Sequence, residues 1–140
     1  MRAKEYLKQL DWIEDEIKLL KLEYEKVSSS LLGAVRLKEI DVQSSPVDKM
    51  DDTYIILFEY SQRLSRKQEE LFKKKVEISE QIDLVKDDKC RQLLKYRYVI
   101  GFDWKKIADI MRYNTRYIYK LHGKALQEFS KIMKEDTKRH

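Results

Sequence analysis

"KIADIMRYNTRYIYKLHGKAL", residues 106–126, carries apolar residues at helical spacing that pause at Arg112, Tyr113 and Asn114 and then resume. Lys, Arg and Tyr crowd the positions between. A single kinked surface helix would show such a pause, and so would two short helices joined by a tight turn. The flanking residues favour two helices. Asp103 stands before Trp104 in an N-cap position, so the spacing predicts a helix over 104–111 with Ile107, Ala108 and Met111 on one side. Asn114 is a matching cap for a following helix whose inward residues are Ile118, Leu121, Ala125 and Leu126. Two helices crossing steeply need a small residue at closest approach, which Ala108 supplies, and a shared apolar core, which Ile107, Met111, Ile118 and Leu121 supply. That leaves Thr115, Arg116, Tyr117, Tyr119 and Lys120, together with His122, for the outer surface near the start of the last helix. A helix-turn-helix protein places this part in the major groove of DNA.

Upstream of this pair, Cys90, Leu93, Leu94, Tyr96, Tyr98 and Val99 make a short helix that Gly101 can end by adopting positive φ. Further back lies a charged arm. Tyr6, Leu10, Ile13, Ile17, Leu20, Tyr24, Val27 and Leu31 alternate steps of four and three, the heptad spacing that turns one stripe towards a partner helix. Ser28, Ser29, Ser30 and Gly33 lower helix propensity, so this helix is expected to fray or bend there. A linker is expected over 37–50, which holds the only proline. Ser45 as cap, Pro46 at the first helical position and Asp48 in a capping box predict a second helix from there to about 86. Its seam is Leu57, Tyr60, Leu64, Leu71, Ile78, Ile82 and Val85, with the weaker occupants Gln68 and Lys75. Residues 54–60 are apolar almost all round, so they call for more than one neighbour, and a second copy of the chain fits.

The expected fold class is all-α: long antiparallel or dimeric coiled-coil helices followed by a C-terminal helix-turn-helix head. The chain of 140 residues has only three Gly and one Pro, 39% charged residues, and no alternating run of strand length. The arm is assigned to 1–88, the head to 89–130 and a basic tail to 131–140. The overall charge of +5 hides an asymmetry. Residues 1–88 carry 16 Lys/Arg against 20 Asp/Glu, whereas 89–140 carry 14 against 5, so the basic character belongs to the last third.

The run "LLKYRYVIGFDWKKIADIMRYNTRYIYKLHGKAL", residues 93–126, resembles the promoter-reading region 4 of bacterial sigma factors, which ends its recognition helix in a "KAL" like that of Lys124, Ala125 and Leu126. The chain as a whole, with "VQSSPVDKM" and "YRYVIGFDWKKIADIM", is similar to small phage and prophage proteins of Gram-positive bacteria, which resemble the ArpU and RinA types of late-transcription regulator. The sigma resemblance implies base-reading positions at Thr115, Arg116, Tyr117, Tyr119 and Lys120 and a backbone-facing lysine at Lys124. Two departures stand out. Arg112 occupies the turn position where such proteins carry glycine, at a strain of about 1 kcal/mol if the geometry is kept. Tyr117, Tyr119 and Lys120 replace the charged and amide side chains common in sigma factors, so their promoter preference does not transfer.

These residues predict a sequence-specific DNA-binding transcription regulator, with double-stranded DNA as partner, a homodimer or higher homo-oligomer, and RNA polymerase as a further partner implied by the resemblance. Arg116 is suited to a bidentate contact with guanine and Lys120 to a neighbouring base. Lys105, Lys106, Arg112 and Lys124 are assigned to phosphate, which fixes position without reading sequence. The competing readings are a small terminase-like DNA-packaging protein and a coiled-coil adaptor that binds only protein. An enzyme is not expected: there is no Gly-rich phosphate loop or nucleophile elbow, and the clustered acids Glu69, Glu70, Asp87 and Asp88 read as solvated. No metal or other cofactor is expected, because His122 and His140 are far apart and Cys90 is the one cysteine. No apolar run approaches the ~18–20 residues that span a bilayer, so a cytoplasmic location in the bacterial host is expected.

Overall fold

The computed structural model describes residues 2–40 and 46–139. All elements among them are helical: α1 (Ala3–Leu7), α2 (Gln9–Ile40), α3 (Pro46–Ile82), α4 (Asp88–Leu94), a π-helical turn (Lys95–Ile100), α5 (Trp104–Met111) and α6 (Thr115–Arg139). The chain divides into two compact units. One is Ile13–Glu70; the other joins the residues up to Trp12 with those from Leu71 onward. The second unit therefore recruits α1, the first turn of α2 and the end of α3 in addition to residues 89–130.

In the first unit α2 and α3 run antiparallel within one chain. Lys67 Nζ lies 2.7 Å from Glu16 Oε2, and the Tyr60 hydroxyl donates to Glu23 Oε1 at 3.0 Å, so later residues of one helix meet earlier residues of the other. The heptad seam explains the pairing. Ile13, Ile17 and Leu20 are buried, and Tyr24, Val27, Leu31, Leu57, Tyr60, Leu64 and Gln68 are half-buried. Thr53, one step before Leu57 on the same stripe, is buried as well. The Lys67–Glu16 pair is exposed and screened by solvent, so apolar burial, not this ion pair, holds the two helices together.

Two expectations for the arm are adjusted. α2 does not fray at Ser28–Ser30 and Gly33 but stays helical to Ile40, because weak propensity spread over four positions does not outweigh the seam on either side. The linker expected over 37–50 is shorter, since residues 37–40 and 46–50 are helical. The cap assigned to Ser45 lies outside the described residues. Pro46 does begin α3, where its missing N–H has no intrahelical partner to lose.

The second unit is a small helical core. Leu7, Leu10, Ile78, Ile82, Val85, Leu93, Leu94, Ile107, Ile118, Ala125 and Phe129 are fully buried or nearly so. α4 and α1 pack against α6, and α5 closes it from another side. Tyr6 stitches α1 to its neighbours: its ring stacks on Phe129 at 6.1 Å, and its hydroxyl donates to Gln81 Oε1 at 2.6 Å. The single helix expected along this stretch is divided near its start. A single turn residue, Lys8, divides α1 from α2, and its backbone stays near helical values (φ −69°, ψ −11°).

Candidate nucleic-acid interface

The local order of α5 and α6 follows from three caps. The Asp103 carboxylate accepts from Lys106 N–H at 2.7 Å and starts α5. Met111 ends it, because Arg112 turns left-handed (φ 61°, ψ 42°) and its N–H goes to the Ala108 carbonyl. Tyr113 N–H bonds the same carbonyl at 3.1 Å, the long-range closure of a Schellman ending. Asn114 Oδ1 then accepts from Tyr117 N–H at 2.8 Å and starts α6. Arg112 thus holds a backbone conformation that glycine adopts freely, at a strain of about 1–2 kcal/mol for a residue with a Cβ.

Two faces of α6 separate cleanly. Ile118, Leu121, Ala125 and Phe129 are buried, over Ile107 and Ala108 of α5 and the rest of the core. Thr115, Arg116, Tyr117, Tyr119, Lys120 and Lys124 are all exposed, so the predicted base-reading residues are open to solvent along one helix. They are not equally free. Tyr117 is only 39% exposed and lies against the Tyr113 ring (4.6 Å between centroids). Tyr119 meets Trp104 edge-on at 5.4 Å, which ties the start of α5 to α6. Arg116 and Lys120 stand clear of such ring contacts in the described structure.

The predicted phosphate contacts fall in three places. Lys105 and Lys106 are exposed at the start of α5, with Lys106 Nζ 5.6 Å from the Phe102 ring centre. Arg112 is exposed in the turn at the other end of α5. Lys124 lies elsewhere, with its Nζ 3.1 Å from Asp87 Oδ2. Asp87 also caps α4 by accepting from Cys90 N–H at 3.1 Å. That backbone bond, with Lys124 beside it, holds the Asp87 carboxyl below the usual carboxylate range. Asp87 therefore has a structural role that its reading as a solvated acid did not foresee, and Asp88 pairs with Arg91.

Asp87, Asp88, Lys89, Tyr117, Lys120, Leu121 and Lys124 line an open cleft of about 510 Å³. Lys89, which is not among the expected contacts, places its Nζ 5.2 Å from the centre of the Tyr113 ring. Its sequence signal was weak: one lysine in a charged run, brought to the turn only by the packing of α4 on α6.

His122 is the clearest correction. It is not on the outer surface but 9% exposed, with Nε2 2.7 Å from the Tyr98 hydroxyl. Burial, then Lys4 and Arg97, push its pKa down to about 4, so the ring is neutral near pH 7. Burial pushes the Tyr98 phenol up to about 12, so Tyr98 keeps its proton near pH 7. In its bond to the neutral imidazole the hydroxyl donates when the ring proton is on Nδ1 and accepts when it is on Nε2. Trp104 packs edge-on to the same ring at 4.6 Å, and Arg97 lies 4.6 Å from the Trp104 ring centre. Helical spacing could have revealed this, since His122 is four residues after Ile118 and three before Ala125. Its polar type sent it outward instead.

The short helix preceding Gly101 is also corrected in kind. α4 ends at Leu94, and Lys95–Ile100 is π-helical, with Tyr98 buried. Gly101 takes φ 90° as expected, and both Gly101 N–H and Phe102 N–H reach the Tyr96 carbonyl, at 3.1 and 2.9 Å. Cys90 is fully buried and its thiol is pushed up to about 11, chiefly by burial. Among the described residues no three or more His, Cys, Asp or Glu converge on a metal-sized site, and no helix is long and apolar enough to cross a membrane.

Residues 31–130 match the family described as "Protein of unknown function (DUF1492)", and the chain belongs to that family. No curated protein and no solved structure gives a significant match.

Proposed function

We propose that this DUF1492 chain is a sequence-specific double-stranded DNA-binding regulator of transcription, whose α5 and α6 form a helix-turn-helix and whose α6 enters the major groove. One observation carries the reading: the N-terminal half of α6 leaves Arg116 and Lys120 exposed while Ile118, Leu121 and Ala125 anchor its other side in the core. A helix held in this way presents side chains to a groove without disturbing its own packing. The net charge of +9 over residues 89–140 adds the sequence-independent attraction that most DNA-binding affinity requires. Arg116 reads guanine, Lys120 a neighbouring base, and Thr115, Tyr117 and Tyr119 border them. Lys105, Lys106 and Arg112 bind phosphate, joined by Lys124 when DNA displaces Asp87.

The arm supplies pairing. Leu19, Leu22, Tyr54, Ile55 and Phe58 are each at least half exposed, away from the seam that α2 and α3 share. We read this apolar surface as the contact with a second copy of the chain, which sets two heads on two half-sites. Light scattering during size-exclusion chromatography should report a dimer or larger assembly, and a monomer at tens of micromolar would remove this element.

Selection of bound duplexes from a random pool at near-physiological salt tests the whole reading. The expected result is an enriched motif, repeated about one or more helical turns apart. Arg116→Ala should relax preference at particular base pairs, with a loss of about 1–3 kcal/mol of discrimination. Lys106→Ala should weaken all sequences alike and flatten the salt dependence. Uniform losses in both variants would show that Arg116 does not read bases, and failure to retain any duplex would remove the DNA-binding reading itself.

A further inference from the structure

Gly123 sits in the interior of α6, where glycine is the poorest helix former after proline. The fold gives no reason for it. A Cβ built there meets no atom within 4 Å, and the positive-φ residues of the described chain are Arg112 and Gly101. Gly123 is exposed and falls on the stripe that Arg116, Lys120 and Gln127 mark at spacings of seven, three and four. That stripe lies opposite Ile118, Leu121 and Ala125. Gly33 is also exposed and sterically open, but Leu32 and Ala34 flank it, and no cation stands within two residues of it on either side.

Position along the helix identifies what approaches. Gly123 is seven residues beyond Arg116, which is roughly 10 Å of helix, close to the ~12 Å width of the major groove. A helix whose Arg116 end touches base edges leaves the groove about there and meets the bordering phosphate strand. We propose that Gly123 is a close-approach point for a DNA phosphodiester strand, which packs directly on the α6 backbone between Lys120 and Lys124. The missing Cβ lets phosphate and deoxyribose reach van der Waals contact with the Cα, and the two lysines neutralise the strand from either side. This rests on the DNA-binding reading and gives that reading a contact blind to sequence.

Gly123→Ala separates stability from binding. The full-length variant should melt about 3 °C higher than wild type, because alanine favours the helix. Its affinity for a fluorescein-labelled random-sequence 30-base-pair duplex at low salt should nevertheless fall on the order of tenfold, as expected when backbone contacts are lost. Gly33→Ala is the control, raising the melting temperature with no change in duplex affinity. Wild-type binding that Gly123→Ala leaves intact overturns the inference alone. A Gly123→Ala chain that changes its oligomeric mass rather than its duplex affinity overturns it in favour of a helix–helix contact. A wild-type chain that binds no duplex removes both this inference and the reading beneath it. A wild-type chain that binds the random duplex but enriches no motif removes only the sequence-reading part, and the tenfold loss would still support Gly123.

Discussion

His122 makes the stability of the second unit depend on pH in a window where few other side chains titrate. Its folded-state pKa is about 4, against an ordinary value of 6.5. Because the folded value is the lower, the unfolded chain binds more protons between the two, and stability falls as the pH drops through this range. The contribution is fully present above about pH 6.5 and is lost as the pH approaches about 4. The difference of about 2.5 units corresponds to a ceiling of about 3 kcal/mol, of which about 2 kcal/mol should disappear between pH 7 and pH 5. The bond to Tyr98 does not cause the penalty, since a protonated ring could donate to the same hydroxyl oxygen. The cost lies in placing a cation in a buried site near Lys4 and Arg97.

Two measurements check this. The chain has two histidines, so a His140→Gln variant leaves one imidazole, whose proton NMR signal should remain that of the neutral form from pH 7.5 to 5. Urea unfolding of the same variant should lose about 2 kcal/mol over pH 7 to 5, and the further change His122→Leu should flatten that slope whatever its absolute stability. An imidazole titrating near 6.5 in the folded protein would refute the argument, as would an unchanged slope in the double variant. Either result would mean that His122 is hydrated or that the Tyr98 pocket opens.

Three further outcomes follow from the head. Arg112→Gly should stabilise the chain by about 1 kcal/mol in urea unfolding by releasing left-handed strain, while reducing duplex affinity if the guanidinium contacts phosphate. Asn114→Ala removes the cap of α6 and should cost about 1 kcal/mol, with the first turn of α6 losing amide-exchange protection first. Phe129→Ala deletes a fully buried ring that also stacks on Tyr6, and should cost about 3–5 kcal/mol by thermal or urea unfolding.

Local rules were legible in the sequence and tertiary ones were not. Asp103, Asn114 and Gly101 each do what their residue types at those positions imply, because a cap or a left-handed turn is decided within a few residues. The stripe Ile118, Leu121, Ala125 was also readable, and its next member, Phe129, follows by the same spacing. The recruitment of α1 to α6 was invisible, since the two helices lie more than a hundred positions apart in the sequence. The pairing of Lys124 with Asp87 belongs to the same class, because opposite charges 37 positions apart carry no local signature. The residues assigned to bases and phosphate are all exposed, whereas His122, expected on the same surface, is not, and solvent access is shared by a reading face and an ordinary polar one.

What separates the two is cost without internal return. A surface serving only solubility would relax to good helix formers and unstrained turns, as exposed positions are free to do. Here the α5–α6 turn needs a left-handed residue to close the end of α5 but fills it with arginine where glycine would be unstrained, and α6 keeps Gly123 in its interior, where an added Cβ would meet nothing. Both lie on the side of the segment that carries Arg116 and Lys120, or in the turn leading to it. A strained cation and a bare stretch of backbone beside two exposed cations fit a polyanion pressed closely against the helix better than they fit solvent. If restoring ordinary residues at both sites raises stability additively and leaves duplex binding untouched, the segment is merely imperfect, and its charge pattern loses the physical argument that links it to DNA.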